Sequence, residues 1–199
     1  MSRPAIILAS GSASRRAVLS AAGVEAIGIR PNVDEAPVRD AMRAEAAPVR
    51  DQAMALAELK AIKVSRQNPG LVIGGDQMLA LGDRAFDKPA DMAGARSHLE
   101  ALSGQTHVLE TALVICEDGQ PVWRHLARPK LTMRTLSPAF IDTYLDTVGE
   151  ALLETVGAYQ LEGRGAQLFT RIDGDFFSIL GLPLLPLLDY LRVRGVLNS

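Results

Sequence analysis

Residues 71–76 read Leu-Val-Ile-Gly-Gly-Asp. The apolar triplet reads as a short buried strand, and the two glycines leave room beside the chain. The aspartate then places one carboxylate where the strand ends, the part of an α/β sheet at which active sites gather. Upstream, Ala5 to Leu8 reads as another short buried strand. A small-residue loop follows from Ala9 to Ala13, then a helix from Ser14 to Ala22 that Gly23 ends. Pro48 to Ser65 reads as a helix, with Pro48 suited to the first turn. Between these helices, Pro31 to Asp51 reads as a loop plus a short helix without a domain boundary.

Downstream of the Gly82-Asp83 turn, Asp91 to Leu102 reads as a helix with Asp91 as its N-cap. His107 to Cys116 is a long strand, and Asp118-Gly119 marks a hairpin turn into a second strand near Trp123. Leu126 to Arg134 alternates in the same way, and Pro138 to Thr147 is helical. Leu184, Leu187, Leu188 and Leu191 fall at i, i+3, i+4 and i+7, giving a C-terminal core helix. Strands and helices alternate irregularly around central hairpins. That favours an α/β fold with a mixed sheet, carried by one domain over residues 1–199.

The chain has 199 residues, 48% hydrophobic and 22% charged, as one soluble globular domain does. Its single cysteine, Cys116, excludes an intramolecular disulfide and reads as a small core residue. The net charge of −2 argues against nonspecific nucleic-acid binding. The apolar stretch at Ala5 is too short for a signal sequence, and no apolar run approaches the roughly 20 residues of a membrane helix. The expected setting is the cytoplasm, with no nucleic acid and no membrane as partner.

The loop 10–16 reads Ser-Gly-Ser-Ala-Ser-Arg-Arg. Small residues let a backbone approach a ligand, and the following helix start offers free N–H groups to an anion. Arg15 and Arg16 oppose the helix dipole there, a cost that a bound polyphosphate would reverse. An ordinary capped helix with solvent-facing arginines is the alternative. Asp76 likewise reads either as a site carboxylate or as a turn former. Asp34-Glu35 and Lys88-Pro89 are weak signals alone, and the histidines read as structural or exposed. Phosphoryl transfer to water needs a metal, cations around the oxygens and a carboxylate to orient or deprotonate water. The chain holds all of these as scattered elements.

Taken together, these residues resemble the Maf nucleotide pyrophosphatases, also called septum-formation proteins. Leu8-Ala9-Ser10-Gly11-Ser12-Ala13-Ser14-Arg15-Arg16 resembles the family's opening LASxSPxR block, with Ala13 in place of its proline. Gly74-Gly75-Asp76-Gln77, Lys88-Pro89, the block from Leu102 to Thr111, the block from Val156 to Gly163 and the closing Gly181-Leu182-Pro183-Leu184 follow in family order. The resemblance implies a mixed sheet in two lobes around a deep cleft, as in inosine triphosphate pyrophosphatases. It implies hydrolysis of a nucleoside triphosphate to the monophosphate and pyrophosphate, with Mg²⁺ or Mn²⁺, by a homodimer. By the same resemblance Asp76 is the catalytic base or metal carboxylate and Glu35 its metal partner, while Ser12, Arg15, Arg16, Lys60 and Lys88 hold phosphates.

Ser14, Gln77 and Glu162 resemble the family's base-selecting positions. Gln77 and Glu162 match the members acting on 7-methyl-GTP, whereas Ser14 matches neither those nor the pyrimidine-specific set. The expected substrate is therefore of guanine type, with dTTP or UTP as the alternative base choice. A cell-division regulator acting through a partner is the alternative function.

Overall fold

The computed structural model describes residues 4–198. Among them the elements run β1 (Ile6–Ala9), α1 (Ala13–Ala21), β2 (Ile27–Gly28), α2 (Ala36–Ala44), α3 (Val49–Ser65), β3 (Leu71–Leu81), β4 (Arg84–Phe86), α4 (Met92–Leu102), β5 (Thr106–Glu117), β6 (Gln120–Ala127), β7 (Lys130–Met133), α5 (Pro138–Val148), β8 (Phe169–Asp173), α6 (Phe176–Ile179) and α7 (Leu184–Val193). Short 3-10 turns occupy Gly149–Glu154 and Arg164–Leu168. The strands pair in the order β2-β1-β3-β5-β7-β8, with β4 added to β3 and β6 to β5. β1 runs parallel to β2 and β3, whereas β4, β6, β7 and β8 join antiparallel, so the sheet is mixed as expected. The chain forms two compact units. The first takes the chain up to Asp76, Thr111–Ala127 and the stretch from Asp175 onward, and the second takes Gln77–Glu110 and Arg128–Gly174.

In the first unit, strand alternation divides β1 between two cores. Ile6 and Leu8 pack with Val18 and Leu19 of α1 and with Leu184, Leu187 and Leu191 of α7. Ile7 turns the other way, with Val72 of β3 and Val64 of α3. Helices thus cover both faces, which is why β1 and the start of β3 read as unbroken apolar runs. The expected hairpin joins β5 to β6: Asp118 (φ 51°) and Gly119 (φ 75°) are both left-handed, as a two-residue turn requires. Cys116 is fully buried on β5, and burial pushes its thiol up to about 11, so it is an unreactive core residue. None of the described helices is long and apolar enough to cross a membrane.

The structure corrects the reading of residues 71–76. β3 does not end at Asp76 but continues to Leu81, where Gly82-Asp83 turns it back along β4. Met78, Leu79 and Ala80 are buried, so the apolar pattern resumes after the aspartate and the ladder resumes with it. Asp76 therefore stands mid-strand, at 8% exposure. The short helix in the 31–51 stretch is α2, separated from α3 by a bend at Ala46 (φ 52°).

The second unit has its own buried polar pair. His107 is wholly enclosed, its Nε2 lies 2.8 Å from the Tyr159 hydroxyl, and both rings pack on Phe169. Burial disfavours the imidazolium and pulls the His107 pKa down to about 4. The unfolded chain would bind this proton near pH 6.5. Stability from His107 is therefore full above about pH 6.5 and is lost as the pH falls toward 4, by about 3 kcal/mol in all. Urea midpoints measured across this window should fall more steeply for wild type than for His107→Gln; parallel profiles would refute the assignment.

Candidate functional site

Two consecutive glycines decide what surrounds Asp76, because successive positions on β3 face opposite sides. A Cβ at Gly74 would lie 2.3 Å from the Ala57 carbonyl oxygen and 2.7 Å from the Ala61 nitrogen, so α3 rests on bare backbone there. A Cβ at Gly75 would lie 3.0 Å from Leu113 and 3.2 Å from the Arg15 Nε, so the arginine occupies the opposite side. Asp76 returns to the α3 side. Along α3 the residues Ala53, Ala57, Lys60, Ala61 and Val64 share the buried face, which brings Lys60 to the aspartate.

The Lys60 ammonium lies 2.6 Å from Asp76 Oδ1 and 2.9 Å from Glu35 Oε1. Lys60 and Asp76 each keep 11% of side-chain exposure, against 30% for Glu35, so the first pair is buried and the second half-buried. Arg39, one turn into α2, donates from Nη2 to Glu35 Oε2 at 3.2 Å. Arg15 donates from Nε to the Gly181 carbonyl at 2.7 Å and from Nη1 to Ser10 Oγ at 3.1 Å. Burial lowers the Arg15 pKa, while the charges of Asp76 and Glu35 pull it up. Ser12 caps α1, its side chain accepting from the Arg15 amide at 3.3 Å.

The first unit thus gathers Arg15, Glu35, Lys60 and Asp76. Ser14 is half-buried on the first turn of α1, and Arg16 is exposed beside Gly28. Gln77, Lys88 and Glu162 belong to the second unit. There Lys88 is exposed and its ammonium lies 3.2 Å from Glu154 Oε2, while Glu162 is exposed ahead of the second 3-10 turn. Sequence reading held Ser10 and Gly181 only within motif blocks, without their bonds to Arg15, and missed Arg39. The Glu35-to-Arg39 spacing of i, i+4 was a usable signal once α2 is recognised. No local signal links Arg15 to Gly181, 166 residues away.

Among the described residues no group of three or more His, Cys, Asp or Glu converges. Asp76 and Glu35 nevertheless converge on one ammonium, which brings two hard oxygen donors to one place. Mg²⁺ is commonly held by one or two carboxylates while keeping waters and taking phosphate oxygens, so this donor set fits it, and Mn²⁺ by the same preference.

The family model for Maf-like proteins matches residues 5–194. The chain belongs to the Maf-like family. A relative from Hyphomonas neptunium, named nucleoside triphosphate pyrophosphatase, is 72% identical over 195 residues, 98% of each chain. A protein of that name from Rhodospirillum rubrum is 53% identical over 197 residues, also 98% of each. The Mesorhizobium japonicum protein named 7-methyl-GTP pyrophosphatase is 50% identical over 195 residues, 98% of each.

The cluster of this Maf-like chain has a measurable energetic signature. Lys60→Met leaves the buried Asp76 carboxylate without its ammonium and should cost about 3 kcal/mol. Adding Asp76→Asn should recover much of that loss, because the uncompensated charge is then gone. Urea unfolding of the wild type, both single variants and the double variant reads the coupling; simple additivity would refute a buried pair.

Proposed function

We propose that this chain hydrolyses a nucleoside triphosphate between the α and β phosphorus atoms, releasing the monophosphate and pyrophosphate. The observation that carries the reading is the Asp76–Lys60–Glu35 cluster beside Arg15, in a chain that matches proteins named nucleoside triphosphate pyrophosphatase over nearly its full length.

Asp76 and Glu35 would hold a divalent cation, whose chemistry when bound is to neutralise polyphosphate charge. The Asp76 carboxylate would orient the attacking water and take its proton. Lys60 and Arg15 would stabilise negative charge as it develops on the transferring group, being fixed in place before substrate arrives. The free N–H groups at the start of α1, behind the Ser12 cap, suit phosphate oxygens, and Arg16 supplies a further exposed cation. Lys88 would exchange its exposed pairing with Glu154 for phosphate; an exposed pair of this kind holds it with little energy.

Asp76→Asn should lower kcat by about 10²-fold or more in a pyrophosphate-release assay with Mg²⁺. Initial products of orthophosphate and a nucleoside diphosphate would sink the proposed cleavage site, and near wild-type turnover of the variant would sink the role of Asp76.

The preferred base in this reading is of guanine type. Guanine presents N1–H and its 2-amino group as two parallel donors, and the Glu162 carboxylate offers two acceptors. A base methylated at N7 is cationic and would be drawn further to that carboxylate. Ser14 brings no aromatic ring to stack on it. The relatives named 7-methyl-GTP pyrophosphatase support this reading. Glu162→Gln should shift the kcat/KM ratio of GTP-type to pyrimidine substrates by roughly 1–3 kcal/mol away from guanine. A wild-type preference for dTTP or UTP, or an unchanged ratio in the variant, would overturn it.

A further inference from the structure

Asp34 and Glu35 are adjacent acids at the start of α2, yet they do different work. Asp34 Oδ1 accepts from the Ala36 amide at 3.3 Å and so turns the chain into the helix. Glu35 occupies the N-cap position in a helical conformation (φ −84°, ψ −24°), and its carboxylate makes no capping bond. Nothing in the helix end therefore fixes that carboxylate. Its two oxygens go to two cations from different elements: Oε1 to Lys60 of α3 at 2.9 Å, and Oε2 to Nη2 of Arg39 at 3.2 Å.

An isolated Glu–Arg pair one turn apart stabilises a helix only slightly. This pair belongs to an alternating row, Arg39–Glu35–Lys60–Asp76, whose Asp76 end is buried in the sheet. With Oε2 tied to Arg39, the carboxylate is held with Oε1 toward Lys60 and Asp76. Removing Arg39 would leave Glu35 free to rotate about its side-chain bonds toward solvent. Partners that orient a ligating carboxylate in this way commonly set metal affinity by 10–100-fold.

We propose that Arg39 is a positioning residue, which fixes Glu35 so that its Oε1 and Asp76 together present oxygen donors to the divalent cation. The inference rests on the cation assignment under Proposed function and names a residue outside it. The full-length protein, free of nucleotide, is titrated with Mn²⁺ alone, and unbound Mn²⁺ is read by electron paramagnetic resonance. In parallel, the Mn²⁺ concentration for half-maximal pyrophosphate release is measured. Arg39→Ala should weaken both by about 10-fold. Arg39→Lys, which keeps a cation one turn from Glu35, should recover most of the loss. Equal Mn²⁺ affinities in wild type and Arg39→Ala would overturn the role of Arg39. So would a lowered thermal midpoint without recovery by lysine, which marks a merely structural arginine. Absence of Mn²⁺ binding by the wild type would instead overturn the cation assignment itself, and this inference with it.

Discussion

Burying a carboxylate within a sheet demands a cation at hydrogen-bonding distance, since an isolated charge there is strongly disfavoured. In this protein the cation arrives on a helix, and the helix comes close enough only because residue 74 has no side chain. Gly74 lets α3 settle on the backbone of β3, and Ala57 and Ala61 keep the helix surface equally bare. One turn beyond Ala57, Lys60 then meets Asp76. Much of the first unit follows from this approach. Val64 closes the same helix face against Ile7 and Val72, and the opposite sheet face is left for α1 and α7.

The second glycine performs the matching task on the other side. Arg15 lies against Gly75, where burial and the nearby carboxylates act on it in opposite directions. Its bonds to Ser10 and to the Gly181 carbonyl tie the first loop to the segment before α7. The arginine is thus not a solvent-facing charge at a helix start, although it remains near enough to Asp76 and Glu35 to feel both. Asp76 and Glu35 thus lie among the cations Arg15, Lys60 and Arg39.

Family membership and the charged cluster agree with the same class of reaction. The match spans residues 5–194, and the relatives share their length with this chain. In the proposed reading the cluster at Asp76 would supply what phosphoanhydride hydrolysis requires: fixed charge, a carboxylate for water and oxygen donors for a metal. The proposed base choice would rest on other residues. Glu162 and Gln77 lie in the second unit, and names among the relatives divide between the general and the 7-methyl-GTP activity.

The sequence by itself determined the class of fold, because its apolar spacing and turn residues are local signals. The Asp118-Gly119 hairpin, the Asp91 cap and the leucine stripe of α7 all formed where those signals lay. Motif order over nearly the whole chain also made the family legible. What only the tertiary structure decided was the company each charge keeps. Local pattern placed Asp76 at a strand end, whereas pairing with β4 carried β3 onward and left the aspartate buried mid-strand. Arg15 reached a carbonyl 166 residues away, and Lys60 was joined to Glu35 as well as to Asp76. Helix and strand patterns repeat within a few residues, so they are written locally. Charge pairing depends on which surfaces pack together and how closely, and at Gly74 that was settled by the absence of a single Cβ.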